Sequence, residues 1–116
     1  METAMSPSRK NPFPHLDGDL LAGDDAAELA HLFKVLANEN RVRILHAIHR
    51  GGEASPSDIA AEVGASQQAV ANQLQRLLDQ RIVHARREGQ RVLYRIVDPC
   101  VPGLMDLGVC LISQRA

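Results

Sequence analysis

Apolar positions recur with helical spacing along most of the chain. The first run is Leu29, Leu32, Phe33 and Leu36, behind a start near Asp24, whose carboxylate can cap a helix. Asn38 and Asn40 are good caps for a second helix carrying Val42, Leu45 and Ile48, which the pair Gly51-Gly52 ends. Ser55-Pro56 sets a cap before a proline at the first helical position. It opens a short helix with Ile59, Ala60 and Val63, stopped by Gly64. Ser66 then caps another helix, with Val70, Leu74, Leu77 and Leu78 inward. The period changes after it. Ile82-Val83 and Val92 to Val97 are β-branched and aromatic, the second run alternating Val92, Tyr94 and Ile96 against Leu93, Arg95 and Val97. The polar stretch Arg86 to Arg91, with Gly89, predicts a hairpin tip between them. Asp98-Pro99 opens a last helix with Val101, Leu104, Met105, Leu111 and Ile112, whereas a start at Pro102 would leave Cys100 in the preceding turn.

The element order is therefore α-α-α-α-β-β-α, mostly α with a small β-hairpin. Two helices joined by a tight glycine-containing turn, followed at once by a basic hairpin, predict a winged helix-turn-helix. Residues 1–22 hold Pro7, Pro12, Pro14 and Gly18 and few apolar side chains, the pattern of a flexible N-terminal arm ahead of a folded domain at 23–116.

Composition narrows the function classes. The 116 residues are 45% hydrophobic and 23% charged, ordinary for one small globular domain. Aromatics at 3% leave no stacking platform for single-stranded nucleic acid. No apolar run approaches the roughly 20 residues of a membrane span, and Met1 to Leu16 has no apolar signal core. The expectation is a cytoplasmic protein with no membrane partner, whose Cys100 and Cys110 are thiols rather than a structural staple. No glycine-rich phosphate loop, nucleophile elbow or clustered acid–base set is present, so an enzyme is not expected.

The formal net charge of −1 hides an asymmetry. Asp17, Asp19, Asp24, Asp25 and Glu28 form an acidic stretch without a base, while Arg81, Arg86, Arg87, Arg91 and Arg95 face one acid, Glu88. Such a basic stripe attracts a polyanion even on a neutral protein. The exposed positions of the Ser66 helix are Ser66, Gln67, Gln68, Asn72, Gln73, Gln75 and Arg76. Amides there pair with adenine, and Arg76 is placed for a phosphate or guanine. At the hairpin tip Arg87, Gln90 and Arg91 suit a backbone or minor groove, and Ser55 and Ser57 can donate to phosphate at the start of the preceding helix. The expected partner is double-stranded operator DNA, and the small footprint calls for a two-fold dimer.

Three stretches carry a family resemblance. Phe33-Lys-Val-Leu-Ala-Asn-Glu-Asn-Arg-Val-Arg-Ile-Leu45, the unit from Asp58 through Ser66-Gln67 to Leu74, and Arg86-Arg-Glu-Gly-Gln-Arg-Val-Leu-Tyr94 resemble, in order, the ArsR/SmtB family of metal- and metalloid-responsive repressors. The resemblance covers about residues 24 to 113. It implies a homodimer through the first and last helices, making 23–116 a DNA-binding and dimerisation domain, and a repressor released from its operator by an inducer.

The family's sensing sites do not carry over unchanged. Its Cys-x-Cys-Asp site at the third helix meets Ser55 and Ser57 before Asp58. Its zinc site on the last helix meets Asp98 and Cys100 in the first half but Leu111 and Gln114 in the second. Cys100 and Cys110 remain. Ten helical residues span about 15 Å, so two thiols of one chain cannot share an ion. In an antiparallel pair of last helices Cys100 would lie near Cys110 of the partner subunit, with Asp98 as a possible further ligand. Soft thiolates suit a thiophilic ion: the first expectation is As(III), Sb(III) or an organoarsenical, followed by Cd(II) or Hg(II), with Zn(II) the disfavoured case. The alternatives are a thiol-redox or persulfide sensor using the same cysteines, a DNA-binding regulator without ligand, and cysteines that only fill an interface. His31, His46, His49 and His84 read as satisfied or solvated side chains, although His46 and His49 share a helix face. His15 lies in the arm, within reach of a partner's site.

Overall fold

The computed structural model describes residues 13–115, so expectations for residues 1–12 lie outside it. Among the described residues the order is α1 (Gly23–Leu36), α2 (Glu39–Gly51), α3 (Pro56–Val63), α4 (Gln67–Asp79), β1 (Val83–Glu88), β2 (Arg91–Ile96) and α5 (Cys100–Arg115). This is a winged helix-turn-helix. The chain divides into two units between Leu32 and Phe33. In the first, the amides of Leu16 and Asp17 both donate to the carbonyl of Phe13, and Asp24 and Asp25 occupy the first turn of α1, complementing its positive end.

The second unit holds the core. Ile44, Leu45 and Ile48 of α2, Ile59 of α3, and Val70, Leu74 and Leu77 of α4 are buried, closed by Ile82, Val83 and Leu93. The starts of α2, α3 and α4 follow the chemistry read from the sequence, whereas α1 begins at Gly23, so Asp24 lies inside its first turn and is not its cap. The Asn38 side chain accepts from the amides of Asn40 and Arg41. Ser55 caps α3 in a reciprocal box with Asp58, ahead of Pro56. Ser66 caps α4. Gly64, at φ 72°, makes the tight turn between α3 and α4 in the left-handed region that favours glycine.

The junction of α4 and β1 is different. Arg81 holds φ 61°, a conformation costing a non-glycine residue roughly 1 kcal/mol. The amides of Arg81 and Ile82 reach back to Leu78 and Leu77, and Leu77 and Ile82 are both buried, which holds the strained residue in place.

The wing is tighter than the sequence pattern suggests. Pairing runs from Val83–Ile96 to Glu88–Arg91, so the turn is Gly89-Gln90 alone, and Arg86 and Arg87 belong to the strand. Gly89 takes φ 63° at the first central position, the geometry of a type II′ hairpin turn. Leu93 is the buried residue of β2, while Val92, Tyr94 and Ile96 are half-buried. A further pair of backbone bonds joins Ala54 to Tyr94, at 3.0 and 2.9 Å, tying the residue before the Ser55 cap to the wing.

Helix α5 begins just after Asp98-Pro99, so Pro102 lies in its first turn, where its missing N–H costs nothing. None of its residues is buried. Val101, Leu104 and Met105 are half-buried, and Leu107, Val109, Leu111 and Ile112 are each at least 60% exposed.

Candidate nucleic-acid interface and thiol site

Helix α4 presents Gln67, Gln68, Asn72 and Arg76 to solvent, beside the exposed cap Ser66. Its amides are ordered by one another. The Gln68 Nε2 donates to Asn72 Oδ1 at 3.0 Å, and Gln75 donates to Asp79 one turn further on at 2.9 Å. Gln73 is half-buried and fixed from another helix: the Arg41 Nε donates to its Oε1 at 2.7 Å, while the Arg41 Nη1 donates to the Val35 carbonyl at 2.9 Å. An arginine offers no acceptor, so the oxygen of Gln73 must face it. Gln73 therefore has its oxygen held towards Arg41 and its amino group free to turn to an outside partner.

The candidate phosphate contacts divide. Ser55 is buried at 4% exposure, and its oxygen accepts from the Asp58 amide, so it serves as a cap. Ser57 is exposed, 3.1 Å from the Ser55 hydroxyl. In the wing, Arg91 donates to Asp58 at 2.8 Å, and Arg86 grips Glu53 with two bonds of 2.7 Å. Arg87 and Arg76 make no ion pair among the described residues. Arg87, Gln90 and Arg95 are thus exposed wing groups outside any ion pair among the described residues, while Arg86 and Arg91 pair with acids of the segment at 53–58. Hydrogen bonds from Arg86 hold the Glu53 carboxyl below the usual carboxylate range, and those from Ser55, with Arg91 beside it, do the same for Asp58.

Cys100 and Cys110 are both exposed free thiols. Helical periodicity separates them by about 80° around α5, on the same side as Leu107. The opposite side, with Pro102, Met105, Val109 and Ile112, faces α2 across an open apolar groove of about 570 Å³ that Val42, His46 and His49 also line. Asp98 Oδ1 accepts the Cys100 amide at 2.8 Å, and a hydrogen bond to the Asp98 side chain, with its charge beside it, pushes the Cys100 thiol up from its ordinary value. The Cys110 sulfur receives a long contact, 3.5 Å, from Gln114. Among the described residues, no three His, Cys, Asp or Glu of one chain gather closely enough to hold a metal ion. Also among them, no helix is long and apolar enough to cross a membrane.

A helix with an amide face beside a basic wing is the arrangement of the DNA-binding winged helix-turn-helix class. Residues 36–86 match a family described as a helix-turn-helix domain. The chain is 36% identical over 86 residues to the transcriptional repressor SmtB homolog of Synechocystis sp. (strain ATCC 27184 / PCC 6803 / Kazusa), covering 74% of this chain. It spans 64% of that relative's length. It is 34% identical over 89 residues to the cadmium resistance transcriptional regulatory protein CadC of Listeria innocua serovar 6a (strain ATCC BAA-680 / CLIP 11262), covering 77% of this chain and 75% of that protein. Among solved structures, the AntR antimony-specific transcriptional repressor superposes with a TM-score of 0.79 at 49% identity, over 97% of both chains. The chain belongs to the ArsR/SmtB family of winged helix-turn-helix repressors, a family of transcriptional regulators rather than enzymes.

Proposed function

We propose that this chain is a homodimeric, sequence-specific repressor that leaves its operator when Sb(III) or As(III) binds between Cys100 of one subunit and Cys110 of the other. The observation that carries the reading is the placement of both thiols, exposed on the outward side of an α5 that buries none of its own residues. Burying that side and the exposed Leu29 and Phe33 of α1 against a second copy would remove the apolar surface from water, which favours association. Antiparallel α5 helices that set Cys100 against Cys110 of the partner subunit also set Gly103 against the partner subunit's Leu107, a side chain opposite an empty position. Gly103 is helical, and a Cβ there would meet nothing within 4 Å, so nothing in its own chain calls for glycine.

Two sulfurs fall short of the four ligands that a tetrahedral zinc site takes, which favours a thiophilic trivalent metalloid. The resemblance to a repressor described as antimony-specific supports the same choice. As each sulfur bonds to the hydroxide-bearing metalloid, its proton leaves with one hydroxide as water, and no oxidation state changes. Asp98 stands ready to add an oxygen ligand, and the N-terminal arm through residue 22 lies outside this scheme.

The test is a DNA-release titration on a duplex that the wild-type protein selects from a random pool. Purified wild type and Cys100→Ser would be compared under Sb(III), As(III), Cd(II), Hg(II), Zn(II) and an oxidant. Release by Sb(III) or As(III), abolished by the substitution, is expected. Release by zinc with Cys100→Ser unaffected would remove the thiol site, and release by oxidant alone would replace metalloid sensing with disulfide formation.

A further inference from the structure

Beside α4 lies a cleft of about 230 Å³ whose walls include Asn40 and Arg43 of α2, Gly64 and Ala65 of the turn, and Ala69 and Gln73 of α4. No acid lines it. The Arg43 guanidinium is staked at its edge by one bond, from Nη1 to the Val63 carbonyl at 3.0 Å, and makes no ion pair among the described residues. Neighbouring Arg50, by contrast, is neutralised by Glu62 at 2.7 Å. Gln73 brings its amino group, because Arg41 holds its oxygen. Asn40 is exposed, and its side-chain amide adds a further donor.

We infer that this cleft is a seat for a backbone phosphate of duplex DNA, which makes α2 a third DNA-contacting element besides α4 and the wing. A guanidinium, an amide aimed by a neighbouring arginine, and no competing carboxylate form a donor set for an oxyanion. The cleft is continuous with the first turns of α4 through Ala65 and Ala69, so a strand running past a helix seated in the major groove passes its mouth. Arg41 acts here as a positioning residue, since it touches no phosphate and fixes which end of Gln73 is offered. The inference rests on duplex recognition by α4 and the wing, and extends its footprint.

The test is the salt dependence of binding, from 50 to 200 mM, to the duplex selected by wild type and to a random duplex. Arg43→Met should keep its fold and its thermal midpoint, lose roughly tenfold in affinity for both duplexes, and lower the log–log salt slope by about one unit per bound subunit. Arg43→Lys should restore the slope. Arg41→Met should weaken binding to both duplexes with the slope unchanged, because the charge at the seat remains. An unaltered slope in Arg43→Met, or a changed base preference in a repeated selection, would overturn the phosphate seat. Wild type that binds neither duplex would instead overturn DNA recognition itself.

Discussion

At the scale of single residues, the interface divides by what each polar group is already bonded to. Gln68 and Asn72 form one amide ladder, leaving an oxygen on Gln68 and an amino group on Asn72 for a base edge. Asn72→Ala should therefore relax base preference, losing about 1–3 kcal/mol of discrimination at one position per half-site. Arg87→Ala should weaken specific and random duplexes alike and lower the salt slope by about one unit per subunit. Repeated selection and salt titration of both variants check the division, and identical behaviour of the two would contradict it. Much at this scale was legible: caps at Asn38, Ser55 and Ser66 follow from short polar side chains ahead of apolar runs. The partners of Arg41, Arg86 and Arg91 were not, because each lies more than thirty residues away in sequence. Periodicity marks a face as polar but is silent on which polar groups are already used.

At the scale of elements, the wing stands on a short foundation. Glu53–Arg86, Asp58–Arg91 and the Ala54–Tyr94 bonds join it to the start of α3. The sequence suggested a longer, looser tip from Arg86 to Arg91. The register tightened it because Gly89 supplies the positive φ of a two-residue turn. The foundation makes a pH prediction. Glu53 and Asp58 titrate below their unfolded values, so their support for the fold is present above the usual carboxylate range and is lost as pH falls through their lowered folded values. Thermal midpoints measured from pH 7 down to 2.5 should fall, and Asp58→Asn should flatten that fall while lowering the midpoint at pH 7. An equal slope in wild type and variant would show that Asp58 does not contribute.

At the scale of the whole molecule, the helix order and the hairpin were readable from pattern, whereas the surroundings of α5 were not and came only with the family resemblance. Its apolar positions show an ordinary helical period, yet the chain alone buries none of them. A helix whose partner is a second copy carries the same periodicity as one packed at home. Leu107→Glu should leave the fold intact, shift the protein to monomer in sedimentation, and weaken DNA binding by separating the half-site readers. A dimer that persists in this variant would place the contact elsewhere. The backbone link between Ala54 and Tyr94 has a mechanical consequence. It ties the start of α3 to the wing, and α3 leads through the turn at Gly64 into the reading helix, so the three form one jaw; only Val97, Asp98 and Pro99 separate that jaw from the helix bearing the thiols. On the proposed scheme, an ion that tilts the two thiol-bearing helices against each other would pass the movement through this short joint. The gap between opposing jaws would then change against a fixed groove repeat of about 34 Å, and the repressor would let go as a misset caliper does, with each tip still intact.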